Sequence, residues 1–404
     1  MKAFARFVTV VFTLVALAVG FAGATVALDV TQPTNAKEAA TVQFEVKDGD
    51  TATSVAQRLQ DEGLIRNALV FRLWARYKKL DSGLEKGVYL LSPSMSMDKI
   101  IGQLQQATPN QIAVTVPDGM RATQYPFYFQ DLKNFDAKEF LSIAKTGIEP
   151  DGTKLWEKYW FIPQPGAKTK IAYVLEGYLY PAQYYFYPND DATKVVEKML
   201  DQFGIELCPG PDNKPNQYIY DAAQCRQHAA TINGKNIFDL MRASYSDTKS
   251  DVGAIRDMLI MSSLTAREIK DYKDAPGIAA VYYNRYLHMI GKVASDTGLR
   301  MGADPTVQYA RDNDKPPADG GKWWTPLADS GNNIAPNNPY NTYTQDGLPP
   351  GPIANPFWDE MKAAIAPEKS PYFYFVSDKC GKTYYAKTSA DFETAKAQAN
   401  NAKC

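Results

Sequence analysis

The pattern of apolar and polar positions begins with an uncharged apolar run at residues 7–28, which follows Lys2 and Arg6. As a helix this run is long enough to cross about 30 Å of hydrocarbon. It predicts a transmembrane anchor after a cytoplasmic tail at residues 1–6. A cleaved signal peptide is the alternative, because the small residues at 22–24 are typical of a cleavage site. Both interpretations place the remaining chain outside the cytoplasm, since the positive charges precede the run.

A polar linker at residues 29–41 leads into a first module at residues 42–108. Strand alternation at 42–46 is followed by a turn signal, Asp48-Gly49-Asp50, and by helical spacing at 53–61 and 67–78. A second strand at 87–91 and a helix at 96–105 complete the pattern. The order predicts a small α+β module. It offers no obvious nucleophile or acid, which favours a binding or spacing function.

The rest of the chain, residues 109–404, predicts a larger mixed α+β domain. Apolar residues recur at helical spacing over 252–270 and 278–289, which predicts two helices joined around Pro276-Gly277. Residues 304–356 are rich in proline, glycine and asparagine and predict a long ordered loop, a kind of segment that usually carries function. A helix at 357–366, strands at 372–377 and 383–387, and a helix at 390–401 are expected beyond it.

Composition narrows the possible chemistry. The 404 residues carry a formal net charge of -1 with 45% hydrophobic and 22% charged residues, which indicates a folded chain and argues against a nucleic-acid partner. The two histidines, His228 and His288, do not stand at metal-ligand spacing, and no C-x-x-C occurs. We therefore expect no metal and no cofactor.

The four cysteines all follow the apolar run, where an oxidising environment permits disulfides. Three connectivities are possible. We favour Cys208 with Cys225, which closes a Pro/Asn-rich loop, and Cys380 with Cys404, which fastens the carboxyl end. Four free thiols remain the alternative.

With histidine so scarce, acid-base chemistry at neutral pH falls to carboxylates, whose pKa must be raised by their surroundings. Glu268 suits this because it shares one helix face with Met261 and Leu264. The alternative is a surface glutamate beside Arg267 and Lys270. Tyrosine, tryptophan and phenylalanine are dense over residues 124–233, and most of all at 155–163 and 176–188; they are core residues, or they line a saccharide-binding cleft.

Several strings resemble the endolytic murein transglycosylases, the MltG or YceG-like family. The resemblance covers essentially the whole exported chain, and residues 42–108 are similar to the LysM-like module of that family. The strings are VPDGMRATQY (116–125), LEGYLYP (175–181), MSSLTARE (261–268), IAAVYYNR (278–285), RMGADPTVQYA (300–310), YNTYTQDGLPPGPIANP (340–356) and SPYFYFV (370–376).

The resemblance implies that Glu268 protonates the glycosidic oxygen between N-acetylmuramic acid and N-acetylglucosamine and then takes the proton of the muramoyl 6-hydroxyl. The product would be a 1,6-anhydromuramoyl end, and the activity would limit the elongation of nascent strands. Relatives carry two glutamates in this helix, and Ala266 replaces the first. Gly302 and Ala303 also replace polar residues. The expected substrate-binding residues are Asn284, Arg285, Asp304, Thr306, Tyr309, Tyr340, Asn341, Thr342, Tyr343 and Glu176.

Two other functions stay open. The chain could bind peptidoglycan without catalysis, or hydrolyse it as a two-carboxylate muramidase in which Glu268 works with Glu176 or Asp304. The resemblance also implies a single-pass protein of the bacterial cell membrane, with its catalytic domain on the periplasmic or extracytoplasmic side. Glycan strands would be its substrate, and membrane peptidoglycan synthases its protein partners.

Overall fold

The computed structural model describes residues 25–36, 41–47, 49–80, 84, 87–106, 111–166, 170–187, 190–210, 217–245, 250–295, 298–317, 322–327 and 334–404. The chain divides into two compact units, Met1–Ile112 and Ala113–Cys404. Most of the predicted membrane span at 7–28, and the tail before it, lie outside the described residues. In the part that is described, no helix has the length and apolar character needed to cross a membrane.

The first unit pairs two strands in antiparallel register, from Val42 opposite Leu91 to Val46 opposite Gly87. Thr51 and Asn67 cap the first two helices by accepting hydrogen bonds from backbone N–H groups. One face of each helix joins a single apolar core. The observed order is the predicted one: β1 Val42–Val46, α1 Ala52–Asp61, α2 Ala68–Tyr77, β2 Gly87–Leu91 and α3 Met97–Gln106.

The second unit is mainly helical, and its strands form separate two-stranded sheets. The pairs are β3 with β4, β5 with β6 and β7 with β8, so the predicted mixed α+β class is confirmed. The strands are β3 Ile112–Thr115, β4 Gln183–Phe186, β5 Thr231–Ile232, β6 Lys235–Asn236, β7 Tyr374–Ser377 and β8 Thr383–Ala386.

Helices of the second unit account for most of its core. A 3₁₀ segment at Ala122–Phe129 precedes them. The α-helices are α4 Ala137–Thr146, α5 Leu155–Lys158, α6 Ala192–Leu207, α7 Ala222–Gln227, α8 Ile237–Ser244, α9 Asp251–Glu268, α10 Ala275–Met289, α11 Asp304–Asp314, α12 Trp358–Ile365 and α13 Ser389–Asn400.

Helix α9 lies at the centre of this unit. It packs against α8, α10, α11 and α12, and every residue from Asp257 to Thr265 is buried. A helix covered on all sides must be apolar or internally bonded, and the hydroxyls of Ser262 and Ser263 accordingly donate to carbonyls of the preceding turn. Ser250 caps its first turn, and Ile269 leaves the helix in an extended conformation. Glu268 is therefore its last helical residue.

Several sequence-based boundaries need correction. Residues 304–314, predicted as part of a long loop, form α11; Pro305 fits the first turn because its missing N–H has no helical acceptor there. Pro276 and Gly277 likewise lie in the first turn of α10 rather than between two helices. Helices α4 and α6, within an aromatic-rich region, were not anticipated.

Both disulfides lie in the second unit. Cys208 pairs with Cys225 and Cys380 pairs with Cys404, and no cysteine is free. The first joins the end of α6 to α7. The second joins the β7–β8 turn to Cys404, four residues beyond the end of α13. These are the two pairings favoured on sequence grounds.

Candidate functional site

Glu268 stands at the carboxyl end of α9 and faces α10. The Tyr282 hydroxyl donates to its Oε1 atom at 3.0 Å. Glu268 keeps part of its surface exposed, although the protein around it removes much of the solvation of its carboxyl. Because the last turn of a helix carries a partial negative charge, this position favours the neutral carboxyl over the carboxylate.

The pKa of Glu268 is raised to about 7, chiefly because burial disfavours the charged form. The Tyr282 hydrogen bond acts in the opposite direction. The nearby carboxylate of Asp304 raises this pKa, and the cations of Arg285 and Arg267 lower it. A carboxyl balanced in this way can both give and take a proton near neutral pH.

Asp304, at the start of α11, brings a second carboxylate toward Glu268. The Tyr343 hydroxyl donates to its Oδ1 atom at 2.5 Å. Arg285, almost fully buried, donates to the carbonyl oxygens of Met301 and Phe373 at 2.6 and 2.7 Å. The structure thus gathers three predicted site residues, Arg285, Asp304 and Tyr343, near the carboxyl of Glu268.

Two threonines tie the start of α11 to the segment that carries Tyr343. The Thr306 and Thr342 hydroxyls are 2.9 Å apart, and Thr342 Oγ1 accepts from the Ala303 N–H at 2.9 Å. The Gly302 N–H donates to the Thr342 carbonyl. Gly302 has a φ of 52°, a conformation that favours glycine. Backbone groups therefore supply bonds here where polar side chains were expected.

Glu176 lies apart from this group and is fully buried. Its Oε1 atom accepts from the Ala122 N–H at 2.9 Å and from the Asn355 side-chain amide at 2.8 Å, and its Oε2 accepts from the Tyr309 hydroxyl at 3.0 Å. Burial raises its pKa to about 7. All three donors belong to the protein, and they come from three of the family-like strings.

The remaining predicted residues serve mainly as supports in this structure. The Tyr340 ring lies 5.2 Å from that of Tyr309, and its hydroxyl accepts from the Ala172 N–H. Asn341 is buried and accepts from the Tyr343 N–H at 3.3 Å. Asn284 donates to the carbonyls of residues 370 and 372 at 2.7 and 2.8 Å.

An aromatic and cationic cluster flanks Glu268 through its neighbour Arg267. The Arg267 guanidinium lies 4.2 Å from the Trp324 ring centroid and donates to the Gly119 carbonyl at 3.1 Å. Arg121, fully buried, lies 4.5 Å from the ring centroids of both Trp323 and Tyr309. Trp324 has a φ of 62°, a strained conformation for a bulky residue that its surroundings must hold.

Sequence reasoning missed Tyr282, Arg267 and the tryptophan pair. Tyr282 lies within the family-like string at 278–285, two residues before Asn284, and only the packing of α10 on α9 shows that it faces Glu268. The adjacent tryptophans at 323 and 324 were a visible signal, since tryptophan is large and rarely placed on a surface without a partner.

Within the described part of the chain, this site is marked neither by the concavity near Trp358 nor by a metal cluster. A concavity of about 600 Å³ lies elsewhere, lined by residues that include Glu206 and Trp358 but none of the predicted site residues. Among the residues described, no three histidine, cysteine, aspartate or glutamate side chains stand together as metal ligands would. The candidate site is therefore defined by its carboxyls and their hydrogen bonds.

A family model described as the YceG-like family matches residues 44–398. The chain belongs to this family. The family prediction made from the motifs is thus confirmed, and the YceG-like match includes both units of the fold.

Curated relatives carry the name endolytic murein transglycosylase. The protein from Bacillus subtilis (strain 168) is 26% identical over 368 residues, which cover 90% of this chain and 86% of that protein. The one from Streptococcus pneumoniae serotype 2 (strain D39) is 25% identical over 97% of this chain. This YceG-like chain matches only 64% of the streptococcal protein's length.

A solved structure is also similar. The crystal structure of a yceG-like protein from Listeria monocytogenes aligns with a TM-score of 0.49 and 25% identity, covering 88% of this chain and 99% of that chain.

Proposed function

We propose that this YceG-like protein is an endolytic peptidoglycan lytic transglycosylase in which Glu268 is the general acid and base. One observation carries the proposal: a carboxyl with a pKa of about 7 lies at a helix end among Tyr282, Arg285 and Asp304. The names of the relatives supply the substrate class, murein. The two lines of support are independent, since the geometry of the site is observed without reference to the names of the relatives.

In the first step, protonated Glu268 donates to the oxygen of the bond between N-acetylmuramic acid and N-acetylglucosamine, and that bond breaks. In the second step, the resulting carboxylate takes the proton of the muramoyl 6-hydroxyl as this oxygen attacks the anomeric carbon. A 1,6-anhydromuramoyl end forms, Glu268 regains its proton, and no water is consumed. One carboxyl whose pKa lies near neutrality can serve both steps.

A two-carboxylate hydrolase is the rival with a structural basis. Asp304 lies near enough to Glu268 to raise its pKa, so it is the candidate base or nucleophile of such a reaction. Its Oδ1 atom accepts a 2.5 Å hydrogen bond from the Tyr343 hydroxyl, which holds the carboxyl group in place. We assign Asp304 to the support of Glu268, and the products distinguish the two reactions.

The proposal extends to the cellular setting. We infer that the first unit is a LysM-like module that holds glycan, and that residues 7–28 anchor the protein in the bacterial membrane with its catalytic unit on the extracytoplasmic side. There it would meet nascent strands beside membrane peptidoglycan synthases and limit strand length. The family match, together with the charge pattern before the apolar run, supports this arrangement.

Product analysis tests the function. The full chain is incubated with uncrosslinked peptidoglycan strands, and mass spectrometry identifies the new ends. We expect 1,6-anhydromuramoyl ends from the natural protein and a loss of at least about 10²-fold in Glu268→Gln, because the amide cannot donate the required proton. Glu360→Gln is the matched control, since Glu360 is also a buried carboxyl with a raised pKa but lies outside the site.

The alternatives make different products. Reducing ends in place of anhydro ends would establish a hydrolase and return Asp304 to a direct chemical role. Intact strands that remain bound to the natural protein would establish a binding protein. Equal activity of the Glu268→Gln and Glu360→Gln variants would remove Glu268 from the chemistry altogether.

A further inference from the structure

We propose that Tyr282 is a positioning residue for Glu268: it holds Oε1 as a fixed acceptor and leaves Oε2 as the oxygen that exchanges the proton with substrate. This inference rests on the proposed function and assigns the two carboxyl oxygens different tasks. It starts from one contact, the 3.0 Å hydrogen bond from the Tyr282 hydroxyl to Oε1.

The packing of Tyr282 fixes the direction of this bond. The side chain is 1% exposed on α10, and its ring meets that of Phe375 on β7 edge-on, with centroids 5.7 Å apart. A buried ring packed against Phe375 keeps its rotamer, so its hydroxyl cannot follow Glu268 if the carboxyl turns. The hydrogen bond therefore constrains the carboxyl, and the tyrosine acts as the fixed partner.

Tyr282 keeps the proton that it donates to Oε1. Burial, together with the adjacent Glu268 carboxyl, raises the pKa of the Tyr282 hydroxyl far above its usual range, so the hydroxyl keeps its proton at any working pH. Protonated Glu268 then presents Oε1 as a carbonyl acceptor to Tyr282 and carries its proton on Oε2. After that proton reaches the glycosidic oxygen, the negative charge on Glu268 strengthens the Tyr282 bond. The 6-hydroxyl proton returns to Oε2.

Other charged groups face Glu268 from three helices. Arg267 precedes it on α9, Arg285 approaches from α10, and Asp304 approaches from α11. The two arginines favour the carboxylate and Asp304 opposes it. None of the three donates to Glu268 within hydrogen-bond distance among the described residues, so Tyr282 is the group that selects between its two oxygens.

The test uses two neighbouring tyrosines. Tyr282→Phe removes only the hydroxyl and keeps the ring against Phe375. Tyr283→Phe is the matched control, because its hydroxyl donates to the Ser244 carbonyl at 3.1 Å and does not face Glu268. The rate of anhydro-end formation is measured from pH 5 to 9 for the natural protein and both variants, with kcat and KM determined separately.

We expect three results for Tyr282→Phe. The limb of kcat/KM that falls at high pH should move upward by about one pH unit, because the lost hydrogen bond had favoured the carboxylate. The kcat at pH 6 should fall about tenfold, because Oε2 is no longer fixed. KM should stay within about twofold. Tyr283→Phe should match the natural protein in all three.

An unchanged pH limb in Tyr282→Phe, or the same shift in Tyr283→Phe, would overturn the assignment while leaving the transglycosylase proposal intact. The reverse is also distinguishable. If neither the natural protein nor the variants make anhydro ends, but the natural protein makes reducing ends, the pH profiles of hydrolysis are compared in the same way. Absence of all products from folded natural protein would reject both proposals, since no proton transfer would then need positioning.

Discussion

Glu176 and Glu268 show how two buried carboxyls with similar pKa values differ in use. Glu176 has both oxygens engaged by protein donors and no exposed surface. Glu268 receives a protein donor on one oxygen and keeps part of its surface open. Placement in a sequence motif could not separate these cases, because both lie in family-like strings. The number of protein donors does separate them.

We therefore predict that Glu176 stabilises the fold without entering the chemistry. Glu176→Gln, which resembles the neutral carboxyl, should cost about 1 kcal/mol and keep its activity. Glu176→Ala should cost about 3 kcal/mol or more, because the donors from Ala122, Asn355 and Tyr309 lose their acceptor. Urea unfolding and anhydro-end formation measure the two effects. Loss of activity in a stable Glu176→Gln protein would instead make Glu176 the second carboxylate of a hydrolase.

At the scale of single residues, the sequence placed Glu268 correctly on an inward helix face. It could not show that this helix ends at Glu268, nor that Tyr282 donates to it, because both depend on how α9 meets α10. The same applies to Asn284, which was expected to hold substrate. Its amide donates to two backbone carbonyls before β7 in this structure.

Among the elements, the β7–β8 hairpin supports the site from behind. Phe375 packs on Tyr282, and Arg285 donates to the carbonyl of residue 373. Lys270, two residues beyond Glu268, donates to the Asp378 carbonyl at 3.1 Å. The disulfide from Cys380 to Cys404 ties this hairpin to the end of α13, so the hairpin, the helix and the site are mechanically linked.

The two disulfides offer a matched comparison, since their sequence separations are 24 and 17. Removing either, as Cys380→Ser/Cys404→Ser or Cys208→Ser/Cys225→Ser, should cost about 3 kcal/mol. Only the first should also lower the rate of the folded protein, because it loosens the hairpin behind Tyr282. Urea unfolding and product formation at 25 °C separate stability from activity. Equal rates in the two double variants would contradict the link.

Elements were predictable where the apolar pattern was regular. The order of the first unit followed from alternation and helical spacing, and so did α12, β7, β8 and α13. Helix α11 was not predicted, because Asp304-Pro305 and the later prolines suggest a loop. Val307 and Ala310 nevertheless stand at helical spacing. Burial of one face of this helix stabilises it despite the loop-like composition, and the sequence alone does not show which face is buried.

For the whole molecule, buried carboxyls link stability to pH. Glu176 and Glu360 are fully buried, and their pKa values are raised to about 7 and about 8 by loss of solvation. A glutamate in the unfolded chain has a pKa of about 4.3. The folded state therefore binds protons more tightly, and this stabilisation is complete below about pH 4 and is lost as the pH rises toward 8.

We predict that these two carboxyls make the free energy of unfolding lower at pH 8 than at pH 5.5 by about 5 kcal/mol. Urea unfolding at the two pH values measures it. Glu360→Gln should flatten this dependence, because the amide does not titrate, while Glu157→Gln, an exposed change, should leave it unaltered. Stability that rises from pH 5.5 to 8 would show that these carboxyls ionise freely in the folded protein.

The convergence of distant segments on Glu176 also bears on when the second unit can finish folding. Its bond to Asn355 joins residues 179 apart in sequence, and the bond from Asn355 to the Met120 carbonyl joins residues 235 apart. Contacts of such long range carry a large loop-closure cost and tend to form late in folding. A chain emerging during synthesis or export presents Glu268 well before Asn355 has appeared, and helices α10, α11 and α12, which cover α9, also follow it. The acid is thus made early, and the packing that buries it is completed only when the later segments arrive.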